Sequence, residues 1–297
     1  MCGIAGIYNF DGAPASPVTV KAMTDALAHR GPDGEGQFTD GPVGLGHRRL
    51  SIIDLSDAAH QPMPSADGRL VITYNGEVYN FQELRIDLEA KGHSFRSRGD
   101  SEVLVTALRE WGDVAVSKFN GMFAFAAWDR AERRLVIARD RFGVKPVYYW
   151  SDGKTLLFAS EIKAFLKFPG FKAKLDRKNL VEYMTFQNFI SDQTLFEGVR
   201  ILPAGSMLVI EQGMKAVPEP KKYWDFRFVE DGSLTDREEV EREVDRLFQQ
   251  AVSRQLISDV PVGSYLSGGM DSGSITAIAA RQRPMIHTFT VGFDMSS

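Results

Sequence analysis

Six short apolar runs punctuate the first two hundred residues, at 3–7, 70–74, 122–128, 135–138, 147–150 and 156–159. Each is bounded by Gly, Asp, Asn or Arg and is rich in β-branched or aromatic residues, which predicts buried strands. Asp152-Gly153, between the last two runs, predicts a hairpin. Two stretches switch to helical spacing. Phe81, Leu84 and Leu88 recur on one face of 80–91, with Gly92 as a stop. Leu104, Val105 and Leu108 do the same in 101–111, where Ser101 is a candidate cap. Many strands with segregated helices predict sheet layers between helical layers.

The pattern changes at 211–236, where EQGMKAVPEPKK and EDGSLTD are rich in Pro, Gly, Lys and Glu, and this stretch reads as a linker. A long helix is expected from Asp236, with Val240, Val244, Leu247, Ala251 and Leu256 as its apolar stripe. A strand (262–266), a small-residue loop (267–273), a helix (274–281) and a strand (286–291) follow. These form one βαβ unit, the start of a parallel sheet. One such unit cannot cover both faces of a parallel sheet, so the second domain reads as cut short.

Composition narrows the class. The 297 residues are 43% hydrophobic and 25% charged, as in an ordinary globular chain of about two domains. Lys plus Arg is 35 and Asp plus Glu 39, a net charge of −4, so no basic field is available for nucleic acid or an anionic membrane. No apolar run approaches the roughly 20 residues that span a bilayer. The N-terminus, MCGIAGIYNFDG, does not read as a signal peptide. The single cysteine excludes an internal disulfide and Cys-based zinc clusters. A cytoplasmic setting is the expectation. The five His residues lack HxxxH or HxH spacing, so no metal site is readable.

That cysteine is Cys2. Removal of Met1 would leave its thiol beside its own α-amine, whose pKa near 8 leaves part of it free to act as a base. Asn75-Gly76-Glu77 follows a predicted strand, where an Asn amide and a Gly N–H can form an oxyanion hole. Read singly, this turn, the His47-Arg48-Arg49 pair of cations and Gly99-Asp100-Ser101-Glu102 are ordinary strand-edge, turn and helix-start sequences.

Together the segments MCGIAGI, HRGPDG (29–34), HRRLSIID (47–54), NGEVYN (75–80), GDSE (99–102), GMFAFA (121–126) and RDRFGVKPVYY (139–149) occur in order. Over about residues 2–210 the chain resembles the class II glutamine amidotransferases. The resemblance implies an α+β N-terminal-nucleophile hydrolase sandwich (αββα). It implies that Cys2 attacks the glutamine side-chain amide with its own α-amine as base. It further implies that Asn75 and Gly76 stabilise the oxyanion, that Arg49 holds the α-carboxylate and that Asp100 holds the α-amino group. Ile52 and Ile53 would line the site, Glu77 would be a second anion near the amine, and Arg30-Gly31 would sit in a loop closing over glutamine.

Ser267-Gly268-Gly269-Met270-Asp271-Ser272-Gly273 lies between a strand and a helix, where glycines and hydroxyls expose backbone N–H groups suited to phosphate. It is not a Walker loop. It resembles SGGxDSS, the pyrophosphate loop of ATP pyrophosphatases, and departs from it at Gly273, where Ser is usual. With SDVPVGSYL (258–266) and TFTVGFD (288–294), the whole order resembles the glutamine-hydrolysing asparagine synthetases. The second part is then a truncated α/β parallel-sheet segment of the PP-loop ATPase type. The resemblance implies ATP with Mg2+ as cofactors. Leu266 and Val291 would contact the nucleoside, and Ser267, Gly268, Gly269, Asp271 and Ser272 would hold pyrophosphate.

The implied reaction amidates aspartate through β-aspartyl-AMP, with ammonia carried through an apolar passage for which 121–128 and 141–149 are candidate lining. The implied partners are L-glutamine, ATP and L-aspartate, together with a chain supplying the remaining synthetase part or a second copy. The expectation is that these 297 residues alone do not make asparagine. Two alternatives stay open at the sequence level: a sugar or peptide carboxylate as acceptor, and a glutamine-binding regulatory chain.

Overall fold

A computed structural model describes residues 1–230, 232, 236–283 and 285–292. The chain divides into two compact units, Met1–Asp225 and Phe226–Ser297.

The first unit contains twelve strands. In chain order they are β1 (Gly3–Asn9), β2 (Gly34–Asp40), β3 (Val43–Arg49), β4 (Met63–Pro64), β5 (Leu70–Val78), β6 (Gly121–Asp129), β7 (Arg134–Arg139), β8 (Tyr148–Ser151), β9 (Thr155–Ala159), β10 (Arg200–Ile201), β11 (Ser206–Ile210) and β12 (Lys221–Lys222). Its helices are α1 (Pro17–Asp25), α2 (Phe81–Glu89), α3 (Asp100–Trp111), α4 (Val114–Lys118) and α5 (Arg177–Phe186). The strands form two six-stranded sheets, ordered β10-β8-β9-β1-β3-β2 and β12-β11-β7-β6-β5-β4. The pairs within both are antiparallel.

Period-two alternation assigns the layers. Ile4 and Tyr8 of β1, Val43 and Leu45 of β3, and Leu156 and Phe158 of β9 point between the sheets. There they meet Val71, Ala124, Ala126, Trp128, Leu135 and Ile137 of the other sheet. Their neighbours Ala5, Ile7, Leu157 and Ala159 point the other way and bury against Val20, Met23 and Leu27 of the α1 layer. The central strands are therefore apolar on both faces, which is why they read as continuous runs. On the far side α3 packs on β5, burying Val103, Leu104 and Leu108. The result is the four-layer αββα N-terminal-nucleophile sandwich.

Glycine sets one spacing. A Cβ at Gly46 would lie 1.9 Å from Thr24 Oγ1, and one at Gly44 would lie 2.4 Å from Val20 Cγ2. The glycines let α1 lie close on β3. They also lower the apolar character of β3, and β2 is a half-exposed edge strand, so both escape a reading based on hydrophobic runs.

The expected hairpin is present. Gly153 takes φ 87°, and Asp152 Oδ1 accepts from the N–H groups of Lys154 and Thr155. Within 211–236, residues Lys221–Lys222 pair with β11, and Tyr223 donates its hydroxyl to Arg139 O at 2.8 Å.

In the second unit, α6 (Arg237–Gln255) begins on Asp236, whose side chain accepts from Glu238 N. β13 (Gly263–Tyr265) and β14 (His287–Phe289) pair in parallel around α7 (Met270–Gln282). The helix starts at Met270, four residues before the expected 274. Gly269 serves as its N-cap residue and takes the first turn's bond from Gly273 N at 3.0 Å. Asp271, Ser272 and Gly273 thus lie in the helix's first turn, not in the loop. In this unit Val252, Leu256, Ile278 and Ala279 form a small core.

Candidate active site

The site is an extension of the inter-sheet alternation past the end of the core. Cys2 continues the Ile4 face, Arg49 the Val43–Leu45 face, and Asn75 and Glu77 the Val71–Thr73 face. Where the core rows run out, these polar side chains meet in a cavity of about 170 Å³. Cys2, Arg49, Ile52, Ile53, Asn75, Gly76, Glu77 and Asp100 all line it, whereas Arg30 and Gly31, expected in a loop over the glutamine, do not. Gln61, Tyr74, Ser101, Met122 and Lys145 line it as well. The sequence assigned none of these five to the glutamine site: Ser101 reads as a helix cap, Met122 and Lys145 fall in the stretches expected to line an ammonia passage, Tyr74 ends an apolar run, and Gln61 carries no motif.

The thiol of Cys2 lies between main-chain groups of Leu50. Sγ is 3.5 Å from Leu50 O and 3.4 Å from Leu50 N. Burial pushes its pKa up, while the Leu50 contact and the N-terminal ammonium oppose the rise. Burial pushes the Met1 α-amine down, toward the free base. Arg30 braces the nucleophile from its main-chain side, donating from Nε to Cys2 O at 2.9 Å and from Nη1 to Glu161 at 2.9 Å. Gly31 makes this approach possible, since a Cβ there would lie 2.4 Å from the Arg48 carbonyl carbon.

Asn75 is 1% exposed, and its Nδ2 has no hydrogen-bond partner. A buried amide donor without an acceptor carries a desolvation cost of about 1–3 kcal/mol. Such a donor suits an oxygen that arrives with the substrate. Next to it, a Cβ on Gly76 would lie 2.2 Å from Met122 O, so this position must be glycine for β5 to reach β6.

Asp100, 5% exposed at the start of α3, accepts from Tyr74 Oη at 2.6 Å and Val78 N at 2.9 Å. Burial outweighs those bonds and raises its pKa. Burial, and then the charge of Asp100, raise Glu77 to about 7. The cations are Arg49 and Lys145. Arg49 Nη1 donates to Ser56 O at 2.9 Å and Nη2 to Asp54 O, which folds the 50–56 loop against the cavity. Asp54, at φ 53°, accepts from Arg98 N at 2.7 Å and joins this loop to the segment before α3. Lys145, 6% exposed, comes from the turn that Asp140 organises by accepting from the N–H groups of Phe123, Phe142, Val144 and Lys145.

His47, at 1% exposure, ties the sheets together through Nε2 to Tyr74 O at 3.0 Å, and burial lowers its pKa to about 3. It is a neutral structural group rather than part of the cavity. Of 121–128 and 141–149, only Met122 and Lys145 reach the cavity. Phe123–Trp128 are core, and Phe142 and Val144 are exposed.

In the second unit, the chain turns at Gly268 (φ 82°) into the N-terminus of α7, whose N-cap residue Gly269 offers no side-chain acceptor. Ser267 Oγ and Ser272 Oγ lie 2.9 Å apart, and Ser272 Oγ donates to Gly269 O. A Cβ on Gly268 or Gly273 would meet nothing within 4 Å. Open space, free helix-start N–H groups and paired hydroxyls fit a phosphate chain. Leu266 N bonds Phe289 O at 2.9 Å, and Val291 is exposed. Among the described residues, no cluster of His, Cys, Asp or Glu could hold a metal ion, and no helix is long and apolar enough to cross a membrane.

This antiparallel four-layer sandwich, with Cys2 and the unpartnered Asn75 amide lining one cavity, has the N-terminal-nucleophile fold. Residues 1–224 match the family model for the glutamine amidotransferase domain, and the chain belongs to that family. Residues 243–297 match the asparagine synthase family. Two Bacillus subtilis (strain 168) proteins, glutamine-hydrolysing asparagine synthetases 3 and 1, are 39% and 37% identical. They match over 99% of this chain and 48% and 46% of their own lengths. The chain thus spans about half the length of these relatives. The fold is shared with the glutamine phosphoribosylpyrophosphate amidotransferase of B. subtilis. That likeness has a TM-score of 0.56 at 19% identity and covers 97% of this chain and 65% of that one.

Proposed function

We propose that the chain hydrolyses glutamine to glutamate and ammonia at Cys2, and that the ammonia serves an ATP-dependent amidation of aspartate by the synthetase part of the protein. The observation that carries the first half is the cavity, which places the only thiol of the chain with an unpartnered Asn75 amide, two cations and two carboxylates.

With Met1 removed, the Cys2 α-amine takes the thiol proton as sulfur attacks the glutamine side-chain carbonyl carbon. The carbonyl oxygen gains the negative charge, and Asn75 Nδ2 with Gly76 N–H stabilises it. The α-amine returns its proton to the leaving nitrogen, ammonia departs, and a γ-glutamyl thioester remains. Water, deprotonated by the same amine, then releases glutamate and restores the thiol. Arg49 holds the glutamine α-carboxylate, Asp100 and Glu77 hold its α-ammonium, and Ile52 and Ile53 offer backbone groups.

The second half rests on the match to the asparagine synthase family and on the fit of the Ser267–Ser272 loop to phosphate. ATP with Mg2+ supplies adenylation of a carboxylate when bound. In this reading Ser267, Gly268, Gly269, Asp271 and Ser272 hold its pyrophosphate, and Leu266 and Val291 border the nucleoside. L-aspartate is the acceptor, the reaction needs synthetase residues beyond these, and the setting is cytoplasmic.

Glutamate release by the Met-free chain, measured beside Cys2→Ala, tests the glutaminase half. Activity that is abolished in Cys2→Ala is expected. Equal release by both proteins would refute it.

A further inference from the structure

Lys145 is the one lysine in the cavity, and the roles assigned above leave it unused. Its backbone is fixed from both sides: its N–H donates to Asp140 Oδ2 at 2.9 Å, and its carbonyl accepts from Arg139 Nε at 2.9 Å. A long flexible side chain held this firmly and 94% buried is not a solvated surface lysine. Glu77 shares the cavity and the charge balance with it.

We propose that Lys145 is a positioning residue of the nucleophile, whose ammonium acts through Cys2 by stabilising the negative charge that the sulfur carries when it attacks. The inference deepens the glutaminase reading and rests on it for its purpose. The charged groups around Cys2 are few and come from every neighbouring element. The Met1 α-amine precedes it, Arg30 and Asp33 follow α1, and Arg49 ends β3. Tyr74 and Glu77 come from β5, Asp100 from α3, and Lys145 from the Asp140 turn. Burial disfavours the thiolate, and the charge of Asp100 adds to that, so the site needs cationic charge to make sulfur nucleophilic near neutral pH. Arg49 also favours the thiolate, but its guanidinium is turned to the carbonyls of Asp54 and Ser56; the Lys145 ammonium shares the cavity with Cys2, Glu77 and Met1 and interacts electrostatically with all three.

The single cysteine makes the test direct, because iodoacetamide alkylation of the folded chain reports Cys2 alone. The rate is followed against pH for the wild type, Lys145→Met, Lys145→Arg and Glu77→Gln, with folding checked by circular dichroism. Lys145→Met should raise the thiolate midpoint by about 0.5–1 pH unit, slowing alkylation about three- to tenfold below the midpoint. Lys145→Arg should restore the wild-type midpoint, and Glu77→Gln, which removes an anion, should lower it. If Lys145→Met does not fold, the unchanged midpoint in Lys145→Arg and the lowered midpoint in Glu77→Gln still apply. An unmoved midpoint in Lys145→Met, or a Glu77→Gln shift upward, overturns the proposal. The readout needs no glutamine turnover. A chain without glutaminase activity whose midpoint still moves with Lys145 would sink the functional reading and leave this one standing.

Discussion

Asn75→Ala separates catalytic purpose from structural need at one residue. The side chain is buried, and its Nδ2 has no protein partner. Truncation removes an unmet donor worth about 1–3 kcal/mol of desolvation and also deletes packing worth about 1–2 kcal/mol. The two nearly cancel, so stability should change by no more than about 1 kcal/mol, or roughly 2–4 °C in Tm. The effect on the reaction is one-sided. Loss of one oxyanion donor typically costs about 10²–10³ in kcat, about 3–4 kcal/mol, with KM little changed. The assay is glutamate release with kcat and KM resolved, beside a thermal melt of the same protein. Near-native kcat would refute the oxyanion assignment. A Tm drop of ten degrees or more would mean that the amide is a structural group after all.

Three further outcomes follow from the same geometry. His47 has its folded pKa near 3, below the unfolded value, so its contribution is complete above pH 6.5 and is lost as pH falls toward 3. Urea unfolding should show a slope across that window that His47→Gln removes. Glu77 is shifted the other way, to about 7, so its protonated form favours folding below pH 4.5 and that contribution is lost as pH rises through 7. Glu77→Gln should therefore be more stable than the wild type at pH 8, by on the order of 1–3 kcal/mol, and equal to it at pH 4. Gly31→Ala must push the loop off the Arg48–Arg49 backbone and pull Arg30 from Cys2. A fall in kcat of tenfold or more is expected, and unchanged kinetics would show that Arg30 does not brace the nucleophile.

The apolar runs were legible because the strands at the centre of each sheet are covered on both faces. β1, β6, β7 and β9 thus appear within a residue or two of their expected bounds. β5 runs on to Val78, through Asn75-Gly76-Glu77, because β6 supplies partners that hydrophobicity does not register. β2 gives no apolar run because it is a half-exposed edge strand, and β3 gives none for a different reason. Gly44 and Gly46 serve a close helix–sheet contact that only the folded chain contains. The candidate glutamine residues came from ordered motifs; Cys2, Arg49, Asn75 and Glu77 converge because each continues an inward row, and Asp100 joins them from the start of α3. Gln61 and Tyr74 depend on bonds between distant segments, Tyr74 N to Gln61 and Tyr74 Oη to Asp100, and Lys145 on a turn built around the Asp140 side chain. The start of α7 was placed late because a run of Gly and Ser reads as loop. Here Gly269 occupies the N-cap position and the residues after it form the first turn.

The central claim is that Cys2 becomes a covalent nucleophile once its α-amine is free. Intact mass of the Met-free chain, acid-quenched during reaction with glutamine, tests it most directly. The account predicts a γ-glutamyl adduct on Cys2 that is reduced in Asn75→Ala and missing in a form that retains Met1. A folded Met-free chain that turns over glutamine without forming that adduct, or that carries it on another residue, would contradict the account.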